Sequence, residues 1–156
     1  MSKKPKVDRK NSVYLKNRSA TFNYAFDETL TAGMVLTGSE IKSIRLGKVS
    51  FSDSFCIFHR DEIWLKNLHI APYEFAGNAG HLPTRDRKLL LNKREIRKWS
   101  QKVKEAGYTI IPLSIFINDR GLAKINIGLG KGKKLYDKRE TIKEREMERN
   151  LREKKY

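Results

Sequence analysis

The run Gly128-Leu129-Gly130-Lys131-Gly132-Lys133-Lys134 is the first stretch whose residue types could do chemistry, since glycine backbone offers exposed amides beside three lysines. It lacks the Lys-Ser/Thr ending of a Walker loop, and its Gly-x-Gly-x-Gly spacing is not that of a dinucleotide fingerprint, so no nucleotide cofactor is expected. It suits the phosphates of a polymer; the alternative is a solvated hinge before a charged tail. His59, His69 and His81 stand ten and twelve residues apart, without metal-ligand spacing, and the single cysteine, Cys56, completes no zinc pattern. Cys56 sits in the apolar run Phe55-Cys56-Ile57-Phe58 with no basic neighbour, as a small buried hydrophobe would, and no Gly-x-Ser-x-Gly elbow is present. The residues therefore point away from catalysis, metal and cofactor, and toward binding.

Basic residues interleaved with aromatics carry the binding argument: Arg18, Phe22, Tyr24, Lys42, Arg45, Lys48 and Phe51 could pair with phosphates and stack on unpaired bases. Phe22, Phe51 and Phe55 have a competing use as interior strand residues, and His81 reads as a loop residue that could touch RNA. The whole composition agrees: 34 Lys and Arg against 18 Asp and Glu give the 156 residues a net charge of +16 and a pI near 10, which suggests a polyanion partner. No run of 18 apolar residues and no signal-peptide pattern occur, so a cytoplasmic protein without membrane contact is expected.

The charge divides the chain. Residues 1–12 form a short basic arm without expected fixed structure, and residues 131–156 hold 11 basic and 6 acidic side chains with few apolar ones, a tail outside the core. Between them, 13–130 reads as one domain. Thr21–Leu36 is expected as a strand interrupted near Asp27-Glu28, and Thr37-Gly38-Ser39-Glu40 has capping-box spacing for a short basic helix ended by Gly47. Phe51–His59 and Ile63–Ile70 predict a hairpin around the three residues Arg60-Asp61-Glu62, and 71–88 a long loop with the basic end Arg85, Arg87, Lys88. Asn92-Lys93-Arg94-Glu95 starts a second helix with Ile96, Trp99 and Val103 on one face and Gly107 at its end. Thr109–Ile117 and Leu122–Leu129 predict a second hairpin, with Ile125, Ile127 and Leu129 facing the core. A mainly β domain with packed helices results, as a small barrel or a sandwich; of these, the oligonucleotide-binding barrel most often meets such charge.

Several segments together resemble the small protein B (SmpB) family of tmRNA-binding proteins. They are Asn17-Arg18-x-Ala20 leading into Tyr24; Gly38-Ser39-Glu40-Ile41-Lys42-Ser43-Ile44-Arg45-x-Gly47-Lys48; Ser52-Asp53-Ser54-Phe55; Pro83-Thr84-Arg85-x-Arg87-Lys88-Leu89-Leu90-Leu91-Asn92; and Lys131-Gly132-Lys133-Lys134-x-x-Asp137-Lys138-Arg139. The resemblance implies an OB-fold barrel with flanking helices, monomeric when free. It implies an adaptor rather than an enzyme, one that binds the tRNA-like domain of tmRNA, supports its charging by alanyl-tRNA synthetase and accompanies it with elongation factor Tu to stalled ribosomes. Contacts to tmRNA would fall on Asn17, Arg18, Tyr24, Lys42, Arg45, Lys48, Arg85, Arg87, Lys88, Leu90 and Asn92, although Asn92 also reads as a helix cap. Contacts to the 16S rRNA decoding centre and mRNA channel would fall on Lys131, Gly132, Lys133, Lys134, Tyr136, Asp137, Lys138 and Arg139, in a tail disordered when free and helical on the ribosome, with Thr141-x-x-Glu144 as a possible helix start. The chain departs from the commonest family pattern at Thr31 (often Glu), Leu82 (often Asp), Gly130 (usually Ala) and Tyr136 (commonly His). On composition alone, a constitutive ribosomal or general RNA-binding protein stays open.

Overall fold

A computed structural model describes residues 13–133 and 135–153. In chain order the elements are β1 (Tyr14–Lys16), α1 (Ala20–Asn23), β2 (Tyr24–Met34), α2 (Gly38–Arg45), β3 (Val49–Ser50), β4 (Phe55–His59), β5 (Glu62–Lys66) and β6 (His69–Ile70). There follow β7 (Arg87–Leu90), α3 (Lys93–Ala106), β8 (Thr109–Ile117), β9 (Ala123–Gly132) and α4 (Leu135–Glu153). Seven strands form one antiparallel sheet in the order β1-β8-β4-β5-β7-β2-β9, and β8 also pairs β9. The pairings thus return on themselves, β8 joining β4 through Cys56 and Ile110 on one edge and β9 along its length on the other. This is the mainly β, OB-like architecture expected. β3 and β6 make a small separate ladder.

The core follows from the inward side chains of the sheet. Ile110, Ile115, Ile125, Ile127, Leu129, Ile63, Leu65 and Leu89 point inward and are essentially inaccessible. Trp99 of α3 and Ile44 of α2 join the same cluster, so both helices dock by a single apolar face. Both capping boxes form: Thr37 accepts from the Glu40 amide and Asn92 from the Glu95 amide, while each Glu carboxylate accepts from its cap residue's N–H. Gly47 and Gly107 end the two helices at positive φ, 73° and 68°, as C-terminal glycines do.

Several expectations shift. The turn between β4 and β5 has two residues, Arg60 and Asp61, both at positive φ, because His59 pairs with Glu62. The first residues of the expected strand, Thr21–Asn23, are a helical turn, and the interruption near Asp27 is a β-bulge between Phe26 and Glu28. Arg87 and Lys88, expected at the end of a loop, lie in β7, whose pairing with β5 outweighs the loop-like composition before it. Strand β9 runs through the glycine-rich segment to Gly132, two residues beyond the expected barrel end, so Gly128 and Gly130 are buried strand residues instead of exposed amides. A Cβ on Gly128 would sit 2.5 Å from the Phe26 ring, and one on Gly130 would also strike the Ala25 carbonyl. These glycines let Phe26 lie across β9. Phe22, Phe51 and Phe55 are half-buried. Finally, α4 begins at Leu135, six residues before the expected Thr141 start; the arm 1–12 lies outside the described residues.

Candidate nucleic-acid interface

Ion pairing separates the cations into two sets. Lys66, Lys88, Lys98, Lys102, Arg85 and Arg87 each hold a carboxylate. Arg18, Lys42, Arg45, Lys48, Lys124 and Lys131 hold none among the described residues. These six, like Lys93, Arg94 and Arg97 of α3, which also hold no carboxylate among the described residues, carry charge that a polyanion would feel.

Arg87 belongs to the interior, contrary to its expected place among the RNA contacts. Its side chain is wholly buried; its Nε donates to Glu40 Oε2, its Nη1 to the Leu68 carbonyl at 2.6 Å and its Nη2 to the Pro83 carbonyl at 3.0 Å. With its donors spent on β7's neighbours, Arg87 ties α2 to β7 and cannot reach RNA. Arg85 shares the same carboxylate, with Nη2 2.6 Å from Glu40 Oε1, though a third of its side chain remains exposed. Burial by itself would raise the Glu40 pKa, but hydrogen bonds from Arg85, the Thr37 amide and Arg87 outweigh it and hold the pKa at about 2. Lys88 is half-buried and donates to Glu62 at 3.1 Å.

On the outer sheet face, Gly33 pairs with Leu90 on one side and Lys124 on the other, so Leu90 and Lys124 flank a bare strand position. Leu90 is 53% exposed and packs over Gly33. Two residues along the strand, Thr31 donates to Asn126 Oδ1 at 2.7 Å and Asn126 donates to Ser114 Oγ at 2.8 Å, a neutral polar row. Lys124 was not among the residues expected from sequence; the alternation Lys124-Ile125-Asn126-Ile127 marks it as outward, but only pairing with Gly33 sets it beside Leu90. Asn92, exposed at the edge of this face, caps α3 through Oδ1 at 2.9 Å from the Glu95 amide. Its cap reading holds, and its exposure leaves the other compatible.

Around α2, Lys42, Arg45 and Lys48 are exposed, and Lys42 Nζ lies 5.2 Å from the centre of the Tyr73 ring. His81 is held within the protein: Nε2 donates to the Ile70 carbonyl at 3.0 Å and Nδ1 accepts from Ser39 at 2.8 Å, so it anchors the loop to α2. Asn17 is buried, its Nδ2 donating to the Pro112 carbonyl at 2.8 Å, while Arg18 beside it is exposed. Tyr24 pairs with Gly132 across β2 and β9, which brings the two groups of expected contacts together at one end of the barrel.

At that end, Lys131 Nζ lies 4.6 Å from the centre of the Tyr108 ring, and Tyr108 OH donates to Asp27 at 2.5 Å. The Asp27 hydrogen bond raises the Tyr108 pKa. The bulge beside Asp27 turns Glu28 toward α3, where Lys102 at 2.8 Å, Trp99 Nε1 at 2.9 Å and Lys98 at 3.2 Å donate to it and lower its pKa to about 2. Gly132 is exposed, and the Lys133 amide donates to the Asn23 carbonyl at 2.8 Å. Arg139 is exposed on α4; Lys134 and the side chains of Tyr136, Asp137 and Lys138 fall outside the described residues. Arg145 reaches from α4 to Thr21 Oγ1 at 3.3 Å and over the Phe22 ring at 5.6 Å. Burial pushes the Cys56 thiol pKa up, away from nucleophilic use. Among the described residues no three His, Cys, Asp or Glu side chains could hold a metal ion.

A self-paired antiparallel barrel with unneutralised cations and outward polar and apolar side chains defines a class: a small cationic β-barrel protein with a surface fit for folded RNA. The chain belongs to the SmpB protein family, whose model matches residues 14–155. It is 54% identical over 140 residues to the SsrA-binding protein of Bacteroides thetaiotaomicron, covering 90% of this chain and 93% of that one. With the SsrA-binding protein of Chlorobium luteolum it shares 50% over 153 residues, covering 98% and 97%. A chain in a solved structure described as "tmRNA-SmpB: a journey to the center of the bacterial ribosome" matches with a TM-score of 0.68 and 48% identity, over 79% of this chain and 86% of that one.

Proposed function

We propose that this protein is the RNA-binding adaptor of trans-translation: it binds the tRNA-like domain of tmRNA and brings it to stalled ribosomes, so that the nascent peptide is tagged for degradation. The observation that carries this reading is the set of cations Arg18, Lys42, Arg45, Lys48 and Lys124, without carboxylate partners among the described residues, with Lys124 set beside the exposed Leu90. Family relatives named for SsrA binding, and the tmRNA-bound neighbour, support the identity of the RNA. Shape recognition follows from such a surface: cations meet phosphates, and Leu90 with its polar neighbours meets the unpaired bases of a tRNA-like elbow.

The barrel, residues 13–133, is the reader of tmRNA, and the tail beyond it belongs to the ribosome. Among the described residues Arg145 links helix α4 to the barrel, and the helix's sequence offers no apolar stripe, so its order depends on surroundings. In the vacant mRNA channel that segment is helical, with Lys131–Arg139 at the decoding centre. The protein acts by binding in the cytoplasm; alanyl-tRNA synthetase and elongation factor Tu meet it through tmRNA. No helix of the described residues is long and apolar enough to cross a membrane.

The test is a salt titration of the full-length protein on the tRNA-like domain of tmRNA with ordinary tRNA as competitor. Preference for the tmRNA domain at every salt concentration is expected. Equal affinity for both RNAs overturns the reading in favour of a general cationic binder.

A further inference from the structure

A pocket of about 290 Å³ opens at the end of the barrel where β2 begins and β9 stops, lined among others by Asn17, Asn23, Tyr24, Phe51, Asp53 and Lys133. That volume lies near the lower end of small-ligand pockets, the scale of a single nucleotide. Most of its polar groups are already engaged. Asn17 donates to Pro112 O and accepts from Ser19, and Asn23 Nδ2 donates to the Ser19 carbonyl at 3.1 Å. The turn carrying Asp53 is fixed by Ser54, which donates from Oγ to the Phe51 carbonyl at 2.6 Å, and by Asn67, which donates to the Asp53 carbonyl at 3.4 Å. The Asp53 carboxylate takes no part in that turn. It is exposed, sits at a positive φ of 58°, and makes no ion pair among the described residues.

An acid held in place on a surface of net charge +16 repels the phosphate backbone that the surface otherwise attracts. It becomes useful only toward hydrogen-bond donors on a base edge. Guanine alone presents two donors side by side, N1–H and the N2 amino group, which match the two oxygens of a carboxylate. Adenine and cytosine set one donor beside a ring acceptor, and uracil sets one donor between two acceptors. Tyr24, backed by Phe26 with ring centres 6.1 Å apart, offers an aromatic surface.

We propose that this pocket receives one guanine base turned out of an unpaired stretch of RNA, with Asp53 accepting its N1–H and N2–H and Tyr24 stacking on it. The inference rests on the RNA-binding reading above and adds a base-specific site to it. The family resemblance assigns Tyr24 and Gly132 to two different RNA contacts; their pairing sets them in one wall.

The experiment uses the full-length protein and three RNA heptamers, uridine throughout except for a central guanosine, inosine or adenosine. The guanosine heptamer is expected to bind about tenfold more tightly than the adenosine one, with inosine, which lacks the N2 amino group, between them. Asp53→Asn keeps a residue that tolerates positive φ and replaces paired acceptors by one acceptor and one donor, the pattern adenine matches. It should erase or invert the preference while the melting temperature stays unchanged. Equal affinity of the wild type for the three heptamers, no measurable binding of the guanosine heptamer, or an unaltered preference in Asp53→Asn overturns the proposal. Because selectivity for the tRNA-like domain over tRNA is measured separately, loss of base preference with that selectivity intact refutes the pocket alone.

Discussion

Glu40 shows how one carboxylate can serve the fold of a basic protein. It caps α2, receives Arg85 and Arg87, and is fully buried. Removing one member of such a set leaves an uncompensated charge, so Glu40→Ala is expected to cost roughly 3–5 kcal/mol, read as a large fall in the urea midpoint. The acid dependence has a defined sign. Because the folded pKa, about 2, lies below the ordinary value of 4.5, Glu40 contributes its stability above pH 4.5 and loses it as pH falls toward 2. Glu28, with the same depressed value, adds to that slope. Urea unfolding at stepped pH should show stability falling through this window in the wild type and less steeply in Glu40→Gln; parallel slopes would refute the assignment. Leu90→Ala belongs to the other kind of residue: it should weaken binding to the tRNA-like domain while leaving the melting temperature within about a degree, since exposed substitutions usually move stability by less than about 0.5 kcal/mol.

Among the elements, the crossing of β2 over β9 is the tightest. Gly128 and Gly130 lie beneath Phe26, and the bulge next to it aims Glu28 at α3. Gly128→Ala should destabilise by about 1–3 kcal/mol through overpacking. Phe26→Ala in the same chain should recover part of that loss beyond additivity, because the two groups compete for one volume. Calorimetric melting of both single variants and the pair checks this, and strict additivity would show that the ring moves aside freely. Helix α3 is fixed by Trp99, which fills the core and donates to Glu28. Two of its lysines, Lys98 and Lys102, are committed to Glu28.

For the whole molecule, the proposed function divides the work between barrel and tail. A chain ending at Lys133 keeps every strand pairing and should bind the tRNA-like domain with nearly full-length affinity, while tagging on stalled ribosomes is lost. Its binding should show a shallower salt dependence only by the phosphates the tail itself meets, roughly one unit of slope each. A cut at residue 130, which composition suggests, would instead sever Lys131 and Gly132 from β2.

What the amino-acid order determined by itself is local or periodic: both capping boxes, the glycines ending the helices, the core alternation of Ile125, Ile127 and Leu129, the charge excess, and a motif series specific enough to identify the family. These depend on neighbours a few residues away. Which basic residues are neutralised by a carboxylate was decided by tertiary structure alone. Arg85, Arg87 and Lys88 form one basic run in sequence, but the carboxylates that neutralise them come from α2 and β5, and only packing brings those close. Likewise Lys124 joined Leu90, and Tyr24 joined Gly132, through pairing between strands distant in the chain. Charge is written residue by residue; whether a charge is left for a partner depends on which opposite charge the fold has set beside it.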